Sequence, residues 1–305
     1  MTAPGIALRC LALDAAAVAA TDTLSRGGVD SVLIKGAGLA RRLDTQRLYS
    51  DVDLLVAPAA FDAAESALAA AGYRPKYPVD LIAEWGHWHE RSWVIPGPVP
   101  FTLDLHRGFA GVDDPDELWR VVRAGAAPMD LAGGTVLVPD KACCALFAAL
   151  HAASPGGSAK PAADLARALA VLPVEVWTAA AELAARCAAV PAFALALRLA
   201  PAGGTVLSRL DLPETYPALS WLLANRASPT AVALASLAEL PRRRRLHRLA
   251  RLLVPSADYM RLANPEARSG PGALLLAYVT RYGRHARALP GALRKLRTAR
   301  RYDGG

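Results

Sequence analysis

The chain has 305 residues and a mass of 32.0 kDa, the size of one large domain or two ordinary ones. Hydrophobic residues make up 53%, charged residues 20%, and mean hydropathy is +0.23, which excludes a disordered chain and requires a sizeable buried core. The net charge of +8 is uneven: residues 242–305 hold 16 Lys/Arg against 3 Asp/Glu, and residues 1–241 hold 19 against 24.

An Ala/Leu-rich helix is expected over the first ~25 residues. Asp30–Ile34 reads as a short β-branched strand, broken by Lys35-Gly36-Ala37-Gly38. Asp51–Val56 is a second strand, alternating acid and apolar before turning wholly apolar as it enters a core. A helix follows from Pro58 to Gly72, with Pro near its start and Gly at its end. Trp85–Ile95 and Val99–His106 read as two strands joined by a Gly97-Pro98 turn. A helix at Asp114–Val122 and a strand at Gly134–Val138 close this section. From Pro139 onward nearly everything is helical, interrupted at Ser154–Gly157, Leu172-Pro173, Pro201–Gly204 and Pro241. The expected organisation is α+β: a small mixed sheet flanked by helices over residues 1–138, then an all-α region over 139–305 ending in basic helices.

The first 22 residues carry Arg9 and Asp14 within their apolar stretch, a poor match to a secretory signal. No run of about 18 apolar residues occurs, so no transmembrane segment is expected. Cys10, Cys143, Cys144 and Cys187 lie in helix-like segments without metal-knuckle spacing, and read as buried free thiols of a cytoplasmic protein.

Three carboxylates carry the chemical signal. Asp51 and Asp53 are two apart on a strand, so they share a face and repel each other unless a cation lies between them. Asp104 sits between Leu103 and Leu105, where a charge is costly without a partner. If the two strands are neighbours, all three converge into a hard oxygen site suited to Mg²⁺, with Mn²⁺ as the substitute. The glycine turn at Gly36, between a strand and a helix, adds backbone N–H groups able to approach a phosphate.

Taken together, Val32–Ala40, Tyr49–Val56 and Leu103-Asp104-Leu105-His106 resemble the uncharacterised nucleotidyltransferase family of the polymerase-β-like superfamily. The match covers roughly residues 28–110; the helical remainder is similar in texture only. The resemblance implies metal binding by Asp51, Asp53 and Asp104, with Asp104 also helping to activate the attacking group. It implies that Lys35 and Gly36 cradle a triphosphate, with Ser50 as a further phosphate or metal-shell residue. One departure stands out. The wider superfamily has Gly-Ser in the loop, and this chain has Gly36-Ala37, without the hydroxyl.

Other residues keep two readings. His106 shares a face with Asp104 and either orients the acceptor or bonds Asp104, or simply caps the strand end. His87 and His89 share a face and lie near Glu90, but no further Cys/His ligand has zinc spacing. They read as sheet histidines or as acceptor contacts. His151, Lys160 and Asp164 flank a Gly/Pro-rich loop and read chiefly as helix-end residues. Arg242–Arg245 with Arg248 and Arg251, and Arg294–Arg301, form solvated basic faces that either pair with the acidic front of the chain or meet RNA, an acidic membrane surface or an acidic partner. Interleaved aromatics for single-stranded nucleic acid are missing, so nucleic acid is not favoured.

The expectation for function is transfer of a nucleoside monophosphate from a triphosphate such as ATP to a hydroxyl or amine of an unidentified small molecule or peptide. A related transferase with a nucleotide-sugar donor, and a non-catalytic binding protein on the same fold, are the alternatives.

Overall fold

The computed structural model describes residues 3–43, 49–77, 89–97, 99–154, 159–218, 221 and 229–302. These residues form two compact units, one reaching to residue 216 and the other beyond it.

The first unit opens with helix α1 (Ala3–Arg26), then strand β1 (Ser31–Leu33) and the short helix α2 (Ala37–Arg42). Strand β2 (Asp51–Val56), helix α3 (Phe61–Ala70) and strands β3 (Arg74–Pro75), β4 (Glu90–Val94) and β5 (Thr102–His106) follow. The five strands form one sheet in the order β1-β2-β5-β4-β3. Among the described strands of this sheet, β2 and β5 run parallel and the other neighbours are antiparallel.

Strand alternation gives this sheet two unlike faces. Val52, Leu54, Val56, Trp93, Leu103 and Leu105 point to one side and join a core with Leu13 and Leu24 of α1 and Leu68 of α3. Asp51, Asp53, Ser92, Asp104 and His106 occupy the alternate positions and so share the other side.

Helix α4 (Pro115–Ala124) is capped by the Asp114 side chain, which accepts from the Glu117 N–H. A separate hairpin of β6 (Ala127–Leu131) and β7 (Gly134–Val138) adds Leu131, Val136 and Val138 to the sheet core. Five helices complete the unit: α5 (Lys141–Ala153), α6 (Ala159–Val171), α7 (Val174–Arg186), α8 (Val190–Leu199) and α9 (Gly203–Leu207). Asp140 caps α5 through the Cys143 N–H, and α5 is apolar on nearly every side because α6, α7 and α8 all pack on it. The helical texture that begins near residue 139 thus lies inside the same compact unit as the sheet.

The second unit contains α10 (Pro229–Glu239), α11 (Arg242–Leu253), α12 (Ala257–Ala263) and α13 (Pro271–Tyr302). Its core is small: Ala231 and Ala235 of α10 meet Ala292 and Leu296 of α13. Among the described residues, no helix is long and apolar enough to cross a membrane.

Candidate active site

The polar face of the sheet is assembled by register. Asp53 lies directly beside Asp104 across the parallel β2–β5 pair, and Asp51 beside Thr102. Across the antiparallel β4–β5 pair, Ser92 faces Asp104 and Glu90 faces His106. Residues 51 apart in sequence therefore become lateral neighbours, close enough for their carboxylates to feel each other.

One end of this face is dry. Asp53 is 2% exposed and His106 1%. The Lys35 ammonium donates to Asp53 Oδ1 at 2.6 Å, and His106 Nε2 lies 3.0 Å from the same oxygen. His106 Nδ1 is 3.5 Å from Glu90 Oε2. Burial alone would raise the Asp53 pKa, but the Lys35 charge and the His106 hydrogen bond hold it well below the usual carboxylate range. Burial would likewise lower Lys35, yet the Asp53 charge and hydrogen bond outweigh it and raise that pKa. The Phe109 ring seals this end, stacked on His106 at 5.9 Å with the Lys35 ammonium 5.3 Å from its centroid. Phe147 and His151 of α5 pack against Phe109 in turn.

The other end is wetter. Asp51, Ser92 and Asp104 are partly exposed. Ser92 Oγ donates to Asp104 Oδ1 at 2.5 Å. Burial, reinforced by the negative charge of Asp53, nevertheless pushes the Asp104 carboxyl up to about 6. Lys76 Nζ donates to Thr102 Oγ1 at 3.0 Å, which brings a cation to the exposed end of the same face.

The Lys35-Gly36 loop follows β1 directly. Gly36 has φ 63°, a left-handed conformation that any side chain would strain, and it precedes the first residue of α2. The Tyr49 ring lies 3.7 Å from where a Gly36 Cβ would stand. The Tyr49 hydroxyl donates to Asp14 of α1, so the helix anchors the ring against the loop.

The sequence-derived residues divide as follows. Asp51, Asp53, Asp104, His106 and Lys35 come together on or beside one face. Ser50 is exposed just before β2. The Lys35 ammonium lies on Asp53. His89 Nε2 lies 3.8 Å from Glu90 Oε2, and His87 falls outside the described residues. His151 lies against the Phe109 ring, and Asp164 is buried on α6. Ser92, Lys76, Phe109 and Tyr49 were not singled out from the sequence. For Ser92 a signal existed, since period-2 alternation from Glu90 places it on the Glu90 face. Lys76 and Phe109 had none.

The donor chemistry suits a hard divalent cation. Two carboxylates stand side by side, and burial with the charge of Asp53 pushes the wetter one up. As placed, among the described residues, no three His, Cys, Asp or Glu side chains close around an ion. Lys35 supplies the positive charge at Asp53 instead.

Over residues 4–202 the chain matches the model of the uncharacterised nucleotidyltransferases. It belongs to that family. Two solved structures are similar to it at low identity. One is the solution structure of the antibiotic-resistance factor ANT(2'')-Ia: 16% identity, TM-score 0.39, covering 58% of this chain and 96% of that one. The other is the crystal structure of an antigenic nucleotidyltransferase-like protein from Paracoccidioides brasiliensis: 13% identity, TM-score 0.37, covering 65% and 93%. Among curated proteins, none matches.

Proposed function

We propose that this family member is a Mg²⁺-dependent nucleotidyltransferase, with ATP or another nucleoside triphosphate as donor. The observation that supports it most is the pairing of Asp53 with Asp104 on adjacent parallel strands, with Asp51 two residues earlier on the same face. The acceptor oxygen or nitrogen attacks the α-phosphorus, the α–β anhydride bond breaks, and pyrophosphate leaves with the electron pair. Asp51, Asp53 and Asp104 would hold the metal, which when bound neutralises the triphosphate and lowers the acceptor's pKa.

The chain's own groups have distinct tasks. Asp104, with a carboxyl pushed up to about 6, is matched to accept the acceptor's proton near neutral pH. His106 and Lys35 fix the orientation of Asp53 by gripping one of its oxygens. Lys76, at the exposed end, is placed to meet a phosphate. Gly36 lets the loop backbone approach the triphosphate without a side chain in the way. The acceptor is a small molecule or a peptide.

Incubation with Mg²⁺, triphosphates labelled at the α-phosphate and a panel of acceptors tests this. Label transfer by wild type and its loss in Asp51→Asn/Asp53→Asn is the expected result; equal behaviour of the two proteins would refute it.

The ion pair of Lys35 with Asp53 favours a second reading. An ammonium that already neutralises Asp53 is what a non-catalytic binding protein on this fold would carry. Isothermal titration with Mn²⁺ separates the two: carboxylate-dependent binding supports the enzyme, and its absence supports the binder.

A further inference from the structure

The second unit presents two helices whose apolar residues face outward. On α11, Leu246, Leu249 and Leu253 recur at i, i+3 and i+7 and so form one stripe. They are not covered: Leu246 is 77% exposed and Leu253 53%. Arg242 and Arg243, four and three residues before Leu246, border the stripe, and Arg244 and Arg251 lie on the opposite side of the same helix, all at the surface. On α13, Leu275, Val279, Tyr282, Leu289 and Leu293 fall on one line at spacings of three, four or seven, and every one is exposed. Arg297 lies beside that line, and Arg284, Arg287 and Lys295 lie farther round the same helix.

The two stripes meet. The Tyr282 hydroxyl, on the α13 stripe, donates to the Leu253 carbonyl at the end of the α11 stripe at 2.6 Å. The Tyr278 hydroxyl donates to the Pro255 carbonyl at 2.6 Å, and the Arg281 guanidinium to the Leu252 carbonyl at 3.3 Å. The helices are thus pinned together while their leucines remain outside.

We propose that α11 and α13 form a docking surface for an anionic phospholipid bilayer, on which the chain lies without crossing. A helix with leucines on one side and arginines on the other seats its apolar side at the headgroup–acyl boundary and pairs its cations with lipid phosphates. Charge complementarity selects this occupant: residues 242–305 hold 16 Lys/Arg and 3 Asp/Glu. A second copy of this surface would bring like charges together, and the α13 stripe is flanked by Gly283 and Pro290, which suit a helix–helix seam poorly. Nucleic acid would use the arginines and leave the leucines in water.

The test is co-sedimentation of the full chain with vesicles of phosphatidylcholine alone and of an equimolar mixture with phosphatidylglycerol. Wild type is expected to pellet with the mixed vesicles and stay in solution with the neutral ones. Arg242→Gln/Arg243→Gln should weaken binding by roughly thirtyfold, as loss of two interfacial cations implies. Leu246→Gln/Leu253→Gln should weaken it comparably, with an unchanged thermal melt because both residues are exposed. Absence of binding to the mixed vesicles would overturn the proposal. So would binding indifferent to the leucines, which marks bare electrostatics, or leucine-dependent dimers in sedimentation velocity without vesicles, which marks a second copy as the occupant.

Discussion

The two faces of the five-stranded sheet are made by the same strands and do opposite things. Val52, Leu54, Leu103 and Leu105 vanish into the core beneath α1 and α3, whereas Asp51, Asp53 and Asp104, one residue away, meet on the other side. The apolar face is held by area removed from water and is tolerant of where each atom lies. The polar face stands on a few directed contacts and is intolerant. A buried carboxylate there is stable only because Lys35 and His106 reach it. Alternation lets one strand serve both ends without compromise, so substitutions on the two faces should have separable effects.

The sharpest way to break that separation is at Lys35, which serves both folding and the site. Lys35→Met leaves Asp53, 2% exposed, with His106 as its remaining partner. A loss of about 3–5 kcal/mol in denaturant unfolding is expected, as for removal of one member of a buried ion pair. A loss below about 1 kcal/mol would show that the pair is not buried in solution.

Trp93→Ala removes a 3% exposed side chain from the apolar face. It should cost about 3–5 kcal/mol through the cavity it leaves. Label transfer by the folded fraction should be unchanged, measured well below the melting temperature. A catalytic defect in fully folded Trp93→Ala would show that the faces are coupled.

Gly36→Ala places a Cβ in a left-handed conformation facing the Tyr49 ring. The expected loss is about 1–2 kcal/mol, read by thermal unfolding. The smallest effect concerns the thiols. Burial pushes Cys144 up to about 12 and Cys187 up to about 11, and carries Cys143 higher still. Of the four free thiols, only half-buried Cys10 should react promptly with a thiol reagent at neutral pH under native conditions. Rapid labelling of a second cysteine would mean that α5 or the α7 terminus opens.

Much of this was legible beforehand. The boundaries of β2 and β7, the long first helix and the glycine loop follow from local signals: β-branched runs, alternation and glycine breaks. The α+β class follows from their order. Strand β6 escaped because Ala127-Pro128-Met129-Asp130-Leu131 contains a proline, which is tolerated at the edge of a two-stranded hairpin. The candidate site was legible as three carboxylates and a lysine, but their partition was not. That Asp53 sits dry under Phe109 while Asp104 remains wetter depends on register across β2, β5 and β4, and on α5 closing over Phe109. Such contacts join residues far apart in sequence and leave no local trace. The change of texture near residue 138 reads as a boundary in one dimension; in three, α5 packs into the unit that holds the sheet.

The wetter end of the polar face, unlike the Lys35–Asp53 pair, carries chemistry at a cost in stability, and Asp104 tests this most directly. Its folded-state pKa of about 6 is raised by burial and by Asp53, so the folded state holds the proton more tightly than the unfolded one. Stability then falls as pH rises from about 4 through about 6, and the loss is complete above it. Asp104→Asn removes that loss. It should be more stable than wild type by about 1–2 kcal/mol at pH 7.5, with the advantage vanishing near pH 4. Calorimetric titration of both proteins with Mg²⁺–ATP at pH 7.5, paired with their thermal melts, gives the decisive result. Wild type is expected to bind, and Asp104→Asn to melt at a higher temperature with that binding lost. A variant that binds Mg²⁺–ATP as wild type does, or that loses binding only because it unfolds, would contradict it.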